Sequence, residues 1–214
     1  MVHLCIAKEL LDTHPDIKDK PAFLLGSVAP DAVHHRNGFS GDDKKKSHLC
    51  VGSEKWGEIV NNDEWMDNVL TFYNKYKNSN TGFDFLLGYI SHILADKSGN
   101  IKIWTPFRKI NMDKIKKLPN LWGSDYHKEA HEIDTRLYQR IRDNSLIWDN
   151  FGKSKGIDFL DMVSAEELNK MITGIPRQYT DLEPDSSFVF RFITPDIMDK
   201  FINDTAAEIN GLLF

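Results

Sequence analysis

The sequence predicts an all-α protein folded as a single compact multi-helix domain over residues 1–214. Two observations carry that prediction. Apolar residues recur at helical spacing along most of the chain, and caps and prolines mark where the periodic segments begin and end. Only Ser187–Ile193 offers a short strand, and no internal repeat, linker or second composition regime interrupts the chain.

From Val2 to Leu11, Leu4, Ile6, Ala7, Leu10 and Leu11 form one helical face, and Pro15 closes that helix. A short second helix, Pro21 to Val28, begins with proline in the tolerated first turn and stops before Pro30. The polar stretch His34–Ser47 has no periodicity and reads as a long surface loop. Asp63 to Tyr76 is amphipathic, with Trp65, Met66, Val69, Leu70, Phe72 and Tyr73. Thr81 to about Lys97 is the most apolar segment, a buried central helix ended near Ser98-Gly99-Asn100. Ser124 to about Arg142 forms another helix, with Asp125 and Glu129 early and Arg136, Arg140 and Arg142 late, as the helix dipole favours. Ser164 opens a helix with a capping pattern that runs to Thr173, and the last helix starts at Thr194-Pro195-Asp196 and reaches the C-terminus.

Composition narrows the function classes. Hydrophobic residues at 41% and charged residues at 28% are globular values, and a net charge of −5 gives no reason to expect stable nucleic-acid binding. No apolar run has the length of a transmembrane segment. The first residues lack a secretory signal, so the expected compartment is the cytoplasm, with Cys5 and Cys50 as free thiols and Cys5 packed as a small hydrophobe.

The chemistry is carried by histidines and aspartates. His92 and Asp96, four residues apart, share one face of the most apolar helix, where an imidazole and a carboxylate need something to satisfy them. A metal ion answers that need; a hydrogen-bonded core pair is the plainer alternative. His127 and His131 repeat the spacing on a polar helix, with Asp134 three residues on, and a solvated face competes with a ligand set there. Asp31 follows Ala29-Pro30, His34 and His35 come next, and His48 ends the polar stretch. His3 sits on the first helix, where packing is the ordinary role, and His14 beside Pro15 looks like a surface residue.

The order of these signals resembles the zinc-dependent phospholipase C family, whose all-helical fold is shared with single-strand-specific zinc nucleases. The residues that carry the resemblance are His3-Leu-Cys-Ile-Ala7, Gly26-Ser-Val-Ala-Pro-Asp31, Ser47-His48 and Gly88-Tyr-Ile-Ser-His92-Ile-Leu-Ala-Asp96, in the first half of the chain. The resemblance implies that Asp31, His48, His92 and Asp96 make one metal site and that His3 joins Asp96 at an adjacent ion. It further implies Asp31 as ligand or general base at a metal-bound water, and His127 and His131 as ligands of a further site. Three departures set limits on it. Met1-Val2 stands where secreted members place a ligating N-terminal tryptophan, Lys102 stands ten residues beyond His92 where they carry a histidine, and their HxxxE pair is matched at best by His127 and His131. One or two zinc ions are therefore expected, with three as the upper limit.

The implied activity is zinc-dependent hydrolysis of a small-molecule or lipid phosphoester, most plausibly a phosphodiester, with Arg36 and Lys44 to Lys46 available to the phosphate unless they are simply a solvated charge run. An HD-type phosphohydrolase would need an adjacent His-Asp pair, which the chain lacks. A non-catalytic helical protein with a structural zinc or a decayed site is the standing alternative.

Overall fold

Helix α5, Phe83–Gly99, is buried almost throughout, from Phe85 to Ala95, and the other elements pack around it. This is seen in a computed structural model that describes residues 1–52, 54, 57–79, 82–117 and 125–214. Helix α2, Lys20–Gly26, crosses α5 at very short range. A Cβ on Gly26 would lie 2.2 Å from the Phe85 carbonyl oxygen, and one on Gly88 would lie 2.0 Å from that of Phe23. Only glycine lets two helix backbones come this close, and the approach carries the segment after α2 against the His92 face of α5.

Helix α1, Val2–Thr13, buries Leu4, Cys5, Ile6, Ala7, Leu10 and Leu11, and α10, Pro195–Leu213, packs alongside it. His14, expected at the surface, stacks on Phe214 at 3.7 Å and hydrogen bonds to Asn210. It is a half-buried pin for the C-terminal helix.

The stretch read as a long loop is ordered into a 3₁₀ helix, Ala29–His35, and helix α3, Gly41–Ser47. Ser40 and Asp43 cap each other's backbone at the start of α3, and its lysines fall in the last turn, where the dipole favours them. Seven polar residues show no apolar stripe, so periodicity was blind to this helix. The Arg36 guanidinium fastens the region to Glu167 at 2.7 Å, Asp43 at 2.6 Å and the Met162 carbonyl at 2.8 Å.

Helix α4 spans Asn62–Tyr76. The central helix does not stop at Asn100. It continues through a π-helical turn, Asn100–Trp104, into α6, Thr105–Ile115. The Asn100 amide donates to the Ile59 carbonyl and the Asn62 side chain, and Trp104 and Phe107 are buried, so tertiary partners replace the expected cap. Thr81 and Ser124, where two helices were expected to begin, lie outside the described residues; the second of these helices, α7, is described from Asp125 to Ile141.

Helix α8, Ser145–Phe151, had no separate signal. Helix α9, Ala165–Tyr179, runs through Pro176 instead of ending at Thr173, because Tyr179 is buried against Tyr138 and hydrogen bonds to Asp134. Ser187–Ile193 is not a strand. The buried Glu129 carboxylate instead accepts the backbone N–H groups of Arg191, Phe192 and Ile193 at 2.9, 2.9 and 2.7 Å. Among the described residues there is no β-strand, and no helix is long and apolar enough to cross a membrane.

Replacing Gly88 by Ala should lower stability by about 1–3 kcal/mol, the usual cost of overpacking. Gly174→Ala, where a Cβ meets nothing within 4 Å, should be neutral or slightly stabilising. Urea unfolding midpoints check this, and equal midpoints for the two variants would contradict the close approach.

Candidate metal centre

His92 is fully buried, and its ring nitrogen Nδ1 lies 2.9 Å from the Ser27 carbonyl oxygen just beyond α2. A carbonyl only accepts, so Nδ1 carries the proton and the Nε2 lone pair faces the other way. His48, at the end of α3, is built alike: its Nδ1 lies 2.9 Å from the Lys44 carbonyl, which again makes it the donor. Its backbone is held by the Trp65 indole, which donates to the His48 carbonyl at 2.8 Å, and by Tyr89, which donates to that of Ser47 at 2.6 Å.

The two Nε2 atoms therefore meet lone pair to lone pair, 3.3 Å apart, in a buried pocket. Asp96 joins them one turn after His92, its Oδ2 lying 3.3 Å from His48 Nε2 and 3.7 Å from His92 Nε2. From the 3₁₀ helix Asp31 brings Oδ1 to 3.4 Å from His48 Nε2 and Oδ2 to 3.9 Å from His92 Nε2. His3 stacks on His92 at 3.7 Å and reaches Asp96 Oδ1 at 3.3 Å. Its Nδ1 is buried and has no hydrogen-bond partner in the structure.

Two bare imidazole nitrogens facing each other between two carboxylates repel unless a cation lies among them. Ligand atoms of His48, His92 and Asp96, and likewise of His3, Asp31 and His92, fall within 4.8 Å of one another, a spacing that an ion can span in either group, and the one Nε2 lone pair of His92 serves a single ion. Imidazole and carboxylate are the donors zinc takes, and the orphaned His3 nitrogen is the kind of atom an ion would satisfy. The residues present thus fit zinc.

The electrostatics agree with a cation site. Burial raises the Asp31 carboxyl, but Lys44, His34, His48 and His92 outweigh it and hold it well below the ordinary carboxylate range. Burial likewise opposes ionisation of Asp96, yet His3, His92 and His48 keep it ionised. Burial, with His3 beside it, pushes His92 down to about 3 despite both carboxylates.

The remaining candidates stand apart. His127, half-buried on α7, lines a cavity with Asp96 and Asp31 but joins neither ligand group, and His131 is exposed one turn further on. His34 Nε2 lies 3.6 Å from Asp31 on the exposed side, and His35 lines the larger cavity. Asp134 pairs with the Met1 amino group at 3.0 Å, and Lys102 turns to Glu208 at 2.5 Å. Lys44, expected from the sequence either to be available to a phosphate or to belong to a solvated charge run, turns its ammonium inward to Asp31 Oδ1 at 3.0 Å. Its i,i+4 spacing to His48 signals this only once α3 is recognised as a helix.

Two cavities flank the centre, and Asp31 borders both. The larger, about 500 Å³, is walled by Val2, Leu4, Ile133, Met171, Ile175 and Met198 among others and reaches His3 and His92. The smaller, about 280 Å³, is lined by Lys44, Trp65, Asp96, Asn100, Trp104 and His127. Tyr126 lies on the wall of each.

A pH dependence follows from His92. With a folded value of about 3 against an ordinary 6.5, the unfolded chain binds the extra proton between those limits. Metal-free protein should therefore lose stability as pH falls from about 6.5 towards 3. Acid titration of the melting temperature checks this: His92→Asn should flatten the slope, and an unchanged slope would contradict the buried neutral imidazole.

The model of the zinc dependent phospholipase C family matches residues 2–98, somewhat under half of the chain. No curated protein and no solved structure matches. The matched segment spans α1 to α5 and contains His3, Asp31, His48, His92 and Asp96, and the all-helical architecture is the fold of that family, so this half of the chain carries the zinc-dependent phospholipase C pattern.

Proposed function

We propose that the chain is a zinc-dependent hydrolase of phosphoesters, phosphodiesters foremost, with zinc held by Asp31, His48, His92 and Asp96 and by His3 beside them. The observation that supports this best is the facing pair of His48 and His92 Nε2 atoms between two carboxylates, on the boundary of two cavities. Bound there, zinc supplies a water ionised near neutral pH and polarisation of a phosphoryl oxygen.

The chain's own part is orientation and proton handling. Ser27 and Lys44 fix the tautomers of His92 and His48 through their carbonyls. Asp31, about a third exposed, is the carboxylate that an attacking water reaches, and its oxygen is where that water's proton would go. The same exposure argues against the sealed coordination of a structural site. The apolar wall of the larger cavity favours an ester with an apolar alcohol half, as in a lipid phosphoester.

The non-catalytic alternative draws on Lys102, committed to Glu208, and on the exposed His131, both at positions where the family pattern expects ligands. We take residues 1–214 as one domain, supported by a core cluster that draws on α1, α2, α4, α5, α7, α8, α9 and α10. A cytoplasmic site of action is supported by two unpaired cysteines, Cys5 buried and Cys50 half-buried.

Purified protein should retain roughly one or two zinc ions per chain, as coordinating sites of this donor set do. His92→Ala should lose zinc and melt lower, whereas His131→Ala should keep both. Metal analysis with calorimetry decides: zinc retained at the wild-type level in His92→Ala would remove His92 from the site, and zinc lost from both variants would add His131 to it. Zinc-loaded protein should hydrolyse bis-nitrophenyl phosphate and be silenced by chelation. Asp31→Asn should cost roughly a hundredfold or more in turnover if Asp31 is the base. Full turnover in that variant would remove the base role, and no metal-dependent hydrolysis of any ester would favour the non-catalytic alternative.

A further inference from the structure

Among the described residues lining the two cavities, Lys44 is the only lysine or arginine. Neighbouring basic groups are committed elsewhere: Arg36 to Glu167 and Asp43, Lys45 to the Gly52 carbonyl, Lys102 to Glu208, and Arg108 to Glu58 and the Gly57 carbonyl. Lys44 instead sends its ammonium into the site, 3.0 Å from Asp31 Oδ1 and 3.3 Å from His34 Nε2. Only 16% of its side chain is exposed, so this is a built-in charge and not a surface lysine folded over.

The charge balance gives the ammonium a purpose. Asp31 and Asp96 carry two negative charges, so with a single divalent ion bound the centre facing a phosphodiester anion would be neutral. Lys44 makes that centre net positive on the side where Asp31 meets the smaller cavity. Its backbone carbonyl meanwhile accepts the His48 Nδ1 proton. One residue therefore orients a metal-ligating imidazole and places a cation one side chain away from it.

We propose that Lys44 is a substrate-binding catalytic residue, its ammonium receiving a non-bridging phosphoryl oxygen beside Asp31 in the smaller cavity. This rests on the reading of the centre as a phosphoester hydrolase and adds the group that recognises the anion. An ammonium is suited to that task as a compact, strongly hydrated point charge on a flexible stem, which can keep Asp31 and meet a phosphate oxygen from the same position.

The test uses zinc-loaded full-length protein, with inorganic phosphate as the probe in calorimetry and bis-nitrophenyl phosphate as the substrate. Lys44→Met should keep zinc at the wild-type level, weaken phosphate binding roughly tenfold or more, and lower kcat/KM at least as much, the scale of one lost charge-assisted hydrogen bond. Lys44→Arg, which restores the charge, should recover most of the phosphate affinity. Wild-type phosphate affinity in a zinc-replete Lys44→Met protein would overturn the proposal. Loss of zinc in both variants would overturn it too, making Lys44 a positioning residue for Asp31 and His48. Should the wild type hydrolyse no ester yet bind phosphate in a Lys44-dependent way, the hydrolase reading fails and the anion site stands.

Discussion

The centre depends on how closely α2 and α5 approach. Gly26 and Gly88 each give up a side chain where the opposing helix presents its backbone, and the resulting contact brings the Ser27 carbonyl within 2.9 Å of His92 Nδ1. That hydrogen bond fixes the tautomer of a fully buried imidazole and turns its second nitrogen into the site. Asp31 is carried on the 3₁₀ helix that begins two residues after Ser27, so its position relative to His92 is inherited from the same contact. A bulkier residue at either glycine would push apart the two sides of the centre before touching any ligand.

The second constraint is electrostatic. His48 and His92 are buried, each with its Nδ1 proton given to a backbone carbonyl, and neither can turn away from the other without losing that bond. Protonating one would relieve the repulsion, but burial opposes it and drives His92 far below its ordinary value. Asp31 and Asp96 stay ionised through the same imidazoles and Lys44. The result is a fixed set of nitrogen and oxygen donors, organised in advance and costly to keep without a cation. Open space lies on both sides of Asp31.

Much of this was legible because it is written in local spacing and motif order. His92 and Asp96 stood out as polar residues four apart in the most apolar helix, and Gly26 to Asp31, Ser47-His48 and Gly88 to Asp96 followed one another in a recognisable sequence. Helices with strong apolar periodicity, such as Val2 to Leu11, were equally visible. What escaped notice depends on partners far away in the chain. Helix α3 has no apolar face and is held by its capping box and by Arg36 reaching Glu167. The central helix continues past Gly99 because Asn100 finds the Ile59 carbonyl, and Ser187–Ile193 stays irregular because Glu129 takes its N–H groups. His127 and His131 share a spacing that suits ligands, but they lie beside, and not on, the Tyr126, Ile133, Leu137 and Ile141 stripe that α7 turns inward. Spacing along one helix says which residues share a face; only the packing says where that face points.

Imidazoles and carboxylates, and no thiolates, should hold zinc at one buried centre. The most direct measurement is zinc K-edge X-ray absorption on the purified protein. It should show a first shell of nitrogen and oxygen alone, with the multiple-scattering signature of at least two imidazoles from His48 and His92. A sulfur shell, which would bring in Cys5 or Cys50, or an oxygen shell without imidazole scattering, would contradict it.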